Sequence, residues 1–417
     1  MGIYRAWKKL SLFVRVMIGF AVGIILGLIL GPQASAINFL GTILVRLLNM
    51  VVAPLVLCLL IAAAADVGDY KSLGKIGGKT LLIFVISTAI AVVIGLGFAF
   101  LFNVGKGVNL ETTAVAAASD VKVPNMLDTL INIIPSNPFA SMSGGVLLQI
   151  IFFALIFGFA LTRIGTKAEP VLNFVRGCGD AVKEITNIVL EFTPVGVMGL
   201  MANVVGKHGL AILIPYGKTI IAMYLATIVF IIVGQGFMMV RLMGRFSMGR
   251  FFKEMKEAAL FIFATCSSVA TIPLTLAGTK RLGVSEKVAN FVVPFGAVMN
   301  MNGTAIYEAI AVVFTAQIYG VELTLAQLLL IMLSATLASI GTAGVPGSGL
   351  VMLTIVLTSV NLPLEAVGLL AGIDRILNMA RCVPNILGDA ATAVIVARSS
   401  GELSDDNVPK VPAPADA

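Results

Sequence analysis

The chain has 417 residues, of which 59% are hydrophobic and only 12% charged, and its mean hydropathy is +1.03. So few charges cannot coat a soluble protein of this size, so the surplus apolar surface must face lipid, and no nucleic-acid partner is expected. The net charge of +7 reads as a topology signal, because basic residues gather at the ends of apolar runs as the positive-inside bias predicts.

Residues 1–15 are basic and amphipathic, with Arg5, Lys8, Lys9 and Arg15, and read as a cytoplasmic helix without a cleavable signal. Apolar runs near 16–31, 39–66, 80–102, 146–162, 184–205 and 211–240 each reach or approach the ~20 residues that cross ~30 Å of hydrocarbon. They give six spans over 16–250. The first carries Gly19, Gly23, Gly27 and Gly31 at four-residue spacing, a close-packing stripe. Residues 103–138 hold Asn109, Glu111, Asp120 and Lys122 and read as a loop outside the membrane.

Past Arg250 the pattern changes. Two apolar segments are interrupted by small polar residues, at 264–271 (ATCSSVAT) and 339–349 (SIGTAGVPGSG). Arms of about 11 residues rise only ~17 Å, which suits helical hairpins that enter and leave by the same side. Their tips need partners for exposed backbone groups, and lipid offers none. Each interrupted segment precedes a span with a polar centre. Residues 291–316 contain Asn300-Met-Asn-Gly-Thr304, Tyr307 and Glu308; residues 364–397 contain Asp374, Arg375, Asn378, Arg381, Asn385 and Asp389. A hairpin followed by a broken span, twice over, points to a transporter's binding site. Residues 401–417 are polar, acidic and Pro-rich, and are expected to be disordered.

Asp374, Asn378, Arg381, Asn385 and Asp389 fall within roughly an 80° arc of one helix face, with Cys382 at its edge. Such charges at membrane depth cannot face lipid. They form either a structural ion-pair ladder or a binding site. Arg381 can grip a carboxylate with two hydrogen bonds and implies an anionic partner. Asp389 offers a hard oxygen to a cation. Asn300-Met-Asn-Gly-Thr304 reads as an unwound turn, freed by Gly303, whose oxygens suit Na+ better than a divalent ion. Ser87 and Thr88 could add hydroxyls, although such a pair also bonds its own backbone. Glu308, a lone carboxyl in an apolar stretch, is a candidate proton carrier or a structural hydrogen-bond donor. The single histidine, His208, excludes His-rich metal sites and Ser-His-Asp triads as general schemes. The cysteines Cys58, Cys178, Cys266 and Cys382 show no metal-ligand spacing, and the first two read as packing.

At SIGTAGVPG (339–347), NMNGT (300–304) and the stripe of the last span, the chain resembles the dicarboxylate/amino acid:cation symporters, the family of the glutamate and aspartate transporters. The resemblance covers nearly the whole chain. It implies an all-α polytopic membrane protein with eight transmembrane helices and two re-entrant hairpins. It also implies a homotrimer and an elevator mechanism, with a mobile transport domain moving against a scaffold. The scaffold and trimer contacts would come mostly from the spans within 16–250, with the third and sixth spans joining the transport core of 251–400. Location would be the plasma (inner) membrane, with both termini cytoplasmic.

By the same resemblance, Arg381 would hold a substrate carboxylate. Thr304, Asn385, Ser268 and the backbone at Cys266 and Val345 would hold the remainder, with Asn378 and Cys382 beside them. One sodium site would use Asp389 with carbonyls of Gly296, Asn300 and Asn385. A second would use carbonyls of Val298, Ser339, Ile340 and Thr342, and a third Asn300, Asn302, Ser87, Thr88 and the carbonyl of Phe84. Coupling would be to Na+, H+ or both, without an organic cofactor. Two departures matter. Asn378 stands where the family's amino acid carriers have an Asp for the substrate ammonium, which tilts the reading toward a C4-dicarboxylate. Asn302 replaces an Asp of the third cation site, which should weaken it. The competing readings are a carrier or exchanger of neutral or other amino acids, an anion channel, a sensor homologue, and an intramembrane hydrolase using Ser143 or Ser348.

Overall fold

The computed structural model describes residues 10, 12–69, 74–107, 131, 134–340 and 348–403. Within these the elements are helices, and the strand-like pairing is a single antiparallel bridge between Val284 and Leu403. The first group is α1 (Leu12–Leu30), α2 (Phe39–Asp69), α3 (Gly74–Phe102), α4 (Pro138–Gly144), α5 (Leu147–Ile164) and α6 (Glu169–His208). Next come α7 (Leu213–Val229), which continues as a π-helical stretch over Phe230–Met243, then α8 (Met248–Thr265) and α9 (Ser268–Arg281). The chain ends in α10 (Glu286–Met299), α11 (Asn302–Ile318), α12 (Leu325–Ile340), α13 (Ser348–Ser359), α14 (Glu365–Ala371) and α15 (Asp374–Ser400).

Among the described residues six stretches are long and apolar enough to cross a membrane: Val14–Ile37, Ile76–Phe102, Gln149–Val189, Gly209–Met243, Glu286–Ile318 and Asp374–Ser400. Their burial separates them. The first four are 28–44% buried in their apolar windows, the last two 94% and 89%. The first four therefore present apolar surface outward, while the last two are walled in by protein and can carry polar residues.

Helices α1, α2, α5 and α6 pack on one another, whereas α3 and α7 pack on α11 and α15. Glycines make the closest approaches. A methyl group on Gly23 would lie 2.6 Å from Met198 O and one on Gly27 2.7 Å from Ala202 O; at Gly19 it would collide with Pro194 O. Gly31, grouped with these on spacing, instead ends α1 at φ +56, where a side chain would meet nothing. α6 has 40 residues, far beyond the expected 184–205, because its first half carries Glu169, Arg176, Asp180 and Glu184 and is invisible to a hydropathy reading.

The two interrupted segments form helix pairs. Arg281, ending α9, bonds Glu254 Oε2 near the start of α8 (2.9 Å), so these two helices run antiparallel. Their break is only Cys266-Ser267: Cys266 is left-handed (φ 57) and the Ser267 side chain caps α9 by accepting from Ala270 N (3.2 Å). The four arms contain 18, 14, 16 and 12 residues and rise about 18–27 Å, longer than the sequence suggested. The tip between α12 and α13, residues 341–347, lies outside the described residues, as do 1–9, most of the 103–138 loop and 404–417. Leu12–Arg15 belong to α1 rather than to a separate N-terminal helix. Gly401–Leu403, assigned to a disordered tail, are paired: Ser285 N donates to Glu402 O at 3.0 Å, beside the Val284–Leu403 bridge.

Three side chains of α7 and its π-helical extension donate to carbonyls of α14 and α15. Tyr216 Oη donates to Leu369 O (3.0 Å) and Tyr224 Oη to Ile376 O (3.1 Å), on either side of the break between α14 and α15. Gln235 Nε2 donates to the carbonyl of Pro384, inside α15, at 2.5 Å.

Two glycines of α3 test this packing. A side chain on Gly95 would sit 2.8 Å from Ile306 O of α11, whereas Gly97 faces open space. Gly95→Leu should destabilise the protein by about 1–3 kcal/mol and lower its melting temperature in detergent, while Gly97→Leu should leave it unchanged.

Candidate functional site

The α10–α11 break, the tip of the first hairpin and the start of α13 meet along the polar face of α15. α10 stops at Met299 and α11 starts at Asn302, so Asn300 and Met301 alone are unwound (φ −115, ψ 80 and φ −107, ψ 54). Gly303, expected to free this turn, is helical. Its lack of a side chain serves contact instead, since a methyl there would collide with Arg381 O and lie 2.7 Å from Pro384 Cγ. The second break, Gly372-Ile373, precedes the polar stripe, which rides on one continuous helix from Asp374.

Arg381 is 2% exposed. Its Nη1 donates to Asp374 Oδ1 (2.7 Å), its Nε to Asn378 Oδ1 (3.0 Å), and its guanidinium lies 4.5 Å from the centre of the Tyr307 ring. Cys382 Sγ also donates to Asn378 Oδ1 (2.9 Å), so that oxygen already accepts two bonds. A methyl on Gly349, at the start of α13, would be 2.7 Å from Arg381 Cζ, so the second hairpin's outgoing arm begins against the guanidinium. Arg375 Nη2 donates to Ala264 O (2.8 Å), tying the first hairpin's tip to α15. Cys266, at that tip, is buried. Ser268 and Thr304 are buried at the first turns of α9 and α11, whose N-terminal dipoles favour an anion.

One turn further along α15, Asn385 Oδ1 accepts from Gly303 N (2.8 Å) and thereby closes the broken end of α11. Asn300 Nδ2 donates to Asp389 Oδ1 (2.8 Å) and to Asn385 O (3.3 Å). Asp389 packs so closely on Gly296 that no side chain would fit there. On the neighbouring face, Ser87 and Thr88 donate to Asn302 Oδ1 (3.3 and 2.9 Å), and Ser87 also reaches Phe84 O (3.0 Å). Ser339 is buried with its hydroxyl on Thr336 O, and Val298 is half-buried. Thr342, Val345 and the Ile340 side chain lie outside the described residues.

Several deeply buried atoms here have no partner: Asn300 Oδ1, Asp389 Oδ2, Asn302 Nδ2, Gln235 Oε1, Thr392 Oγ1, Tyr307 Oη and both oxygens of Glu308. Each such atom costs about 1–3 kcal/mol when left unsatisfied. All but Asn302 Nδ2 are oxygens, and the unpaired carboxylate oxygen of Asp389 and the neutral amide oxygen of Asn300 are of the kind that suits Na+. Sequence reasoning missed Gln235, a single amide between two glycines in an apolar run; its isolation there was the only signal.

Buried charges, broken helices and an outer ring of apolar spans define a multi-span helical carrier. Comparison with known proteins gives the family. Residues 12–399 match the sodium:dicarboxylate symporter family. The chain is 36% identical over 409 residues to the proton/sodium-glutamate symport protein of Bacillus caldotenax, covering 96% of this chain and 97% of that protein. It is 33% identical to the protein of the same description from Bacillus subtilis (94% of each), and 32% to the C4-dicarboxylate transport protein of Pseudomonas syringae (95% and 88%). The chain belongs to the sodium:dicarboxylate symporter family. It is therefore a cation-coupled membrane transporter and not an enzyme, which removes the hydrolase reading.

Asn302→Asp tests the cation reading of this face. A carboxylate beside Ser87 and Thr88 should add a cation site, seen as a steeper Na+ dependence in isothermal titration of purified protein. Thr88→Ala in the same background should reverse it.

Proposed function

We propose that the protein is a secondary-active symporter that carries a C4-dicarboxylate with Na+, and with H+ through Glu308. The observation that favours a dicarboxylate over an acidic amino acid is the state of Asn378. Its Oδ1 is uncharged and already accepts from Arg381 Nε and Cys382 Sγ, so it offers little to a substrate ammonium. Arg381 would take one carboxylate, and the first turns of α9 and α11, with Ser268 and Thr304, would face the other. Cys266, Cys382 and Asn385 would line the space between. Relatives described as glutamate symport proteins keep the amino acid reading as the second one, with Asp374, the carboxylate bonded to Arg381, to serve an ammonium.

Asp389 and Asn300, with backbone carbonyls at Gly296 and Asn385, would hold one Na+. Glu308 is fully buried with neither oxygen bonded, and a carboxyl so placed needs a proton or a cation beside it. That α1, α2, α5 and α6 pack on one another, and α3 and α7 on α11 and α15, with α12–α14 at the contact between the two groups, supports a scaffold and a moving transport domain, with α3 and α7 travelling with the core. Eight spans, two re-entrant hairpins and a homotrimer in the plasma (inner) membrane complete the proposal.

Binding of succinate and L-aspartate to purified protein in Na+ tests the substrate. Succinate should bind and L-aspartate should not, and Asn378→Asp should reverse the order. Tight aspartate binding by the unaltered protein would overturn the dicarboxylate reading.

Glu308→Gln tests proton coupling in liposomes. The variant should keep uptake driven by a Na+ gradient and lose the response to an imposed pH gradient. A response equal to that of the unaltered protein would exclude Glu308 as the carrier.

A further inference from the structure

A groove lies between α3 and the π-helical stretch Phe230–Met243. α3 supplies Ile83, Ile86 and Ile90 to one wall at helical spacing, and the π-helical stretch supplies Met238 and Met243 to the other. Gly234 leaves the space between them open, since a side chain there would start 2.9 Å from the Phe230 ring. The groove encloses about 380 Å³, within the roughly 300–1,000 Å³ of small-molecule sites. Its one hydroxyl, that of Ser87, is already turned to Phe84 O (3.0 Å) and Asn302 Oδ1 (3.3 Å). What remains for an occupant is apolar, which excludes the anionic substrate and its cation.

The mouth of the groove opens on the outward apolar surface. Ile86 and Met243 at its rim are 50% and 52% exposed, and the two spans that form it, Ile76–Phe102 and Gly209–Met243, are buried over only 33% and 44% of their apolar windows. One end of the groove is cationic. Lys79 stands one turn before Ile83 on the same face of α3, and its Nζ donates to Ser399 Oγ (3.1 Å). Arg398, the preceding residue of α15, donates from Nε to Gly244 O (3.2 Å) and from Nη2 to Arg245 O (3.4 Å), just beyond Met243. The end of α15 thus gathers Lys79, Arg245 and Arg398 where the groove ends. All three are exposed, and among the described residues none is in an ion pair. The carboxylate nearest Arg398 in sequence, Glu402, is paired with Lys287 (3.5 Å). Residues 83–90 lie about 6–16 Å along α3 from Lys79, which matches the ~15 Å depth of one leaflet.

We propose that this groove binds an anionic phospholipid, with one acyl chain between α3 and the π-helical stretch and the headgroup phosphate at Lys79, Arg245 and Arg398. The occupant follows from the two ends of the site. An apolar slot that opens sideways into the bilayer meets hydrocarbon, and unpaired cations at the headgroup level of the same slot attract a phosphate. A phospholipid carries both parts at the required separation.

The test is native mass spectrometry of purified, delipidated full-length protein titrated with phosphatidylglycerol or with phosphatidylcholine of the same acyl chains. Phosphatidylglycerol should bind more tightly, and Lys79→Gln and Arg398→Gln should each weaken it about fivefold while leaving phosphatidylcholine unchanged. Ile86→Trp, which fills the mouth of the groove, should weaken phosphatidylglycerol about tenfold, whereas Leu82→Trp, on the exposed surface of α3 outside the groove, should not. Equal binding of the two lipids overturns the proposal, as does an equal effect of Ile86→Trp and Leu82→Trp. Ile86→Trp that changes the oligomeric mass and not the lipid count would make the groove a contact between copies of the chain, and also overturns it. Should Ile86→Trp fail to fold, Met238→Trp fills the same mouth from the opposite wall, with weakened phosphatidylglycerol binding in support and unchanged binding against.

Discussion

Arg381 carries a permanent charge into the middle of a protein whose outside is lipid, and the architecture answers that constraint. The ion pair with Asp374 and the Tyr307 ring compensate the guanidinium locally. They also leave it committed to a pair it must share when a carboxylate arrives. The two spans nearest it are buried over 94% and 89% of their apolar windows, so the more exposed spans stand between the charge and the hydrocarbon. A family of anion carriers needs such a cation at membrane depth; the surrounding helices make it tolerable.

Breaking helices inside a membrane creates a second debt of unsatisfied backbone groups, and side chains from other elements discharge it. Asn385 receives the free Gly303 N–H, Arg375 binds Ala264 O at the first hairpin tip, and Tyr216 and Tyr224 reach carbonyls on both sides of the α14–α15 break. These bonds require close approach, and Gly296, Gly303, Gly349 and Gly388 each stand where a side chain would strike a functional group. Glycine here serves contact between site elements more than backbone freedom. α7 is bound to the last span at three heights, so a displacement of α15 would carry α7 with it.

What could be read in the sequence was whatever has a local period. The apolar runs, the first three glycines of α1, the interrupted segments and the five-residue stripe of α15 all follow from spacing along one helix. What escaped depends on partners distant in sequence. The first half of α6 is charged, yet it forms one helix with the rest. Gly303 looked like a hinge because glycine often is one, and only the position of Arg381 O shows that it is a contact. Gln235 is an unremarked amide until Pro384 fixes its nitrogen. Residues 401–403 open a largely polar tail, and they are paired with residues 284 and 285.

The placement of opposite charges on one helix gives symport a physical basis. Arg381 and Asp389 are eight residues apart on α15, about 12 Å along the axis, with Asn385 between them touching the broken end of α11. In the proposed arrangement, an anion near Arg381 and a cation near Asp389 would attract across that distance by about 1 kcal/mol at an effective dielectric near 20. Occupancy of both is favoured over occupancy of one by roughly fivefold to tenfold from this attraction alone, and by reciprocity each ligand raises the affinity for the other by the same factor. In the proposed site Asn378 and Asn302 are both uncharged, so the core would depend on the charges that its ligands bring.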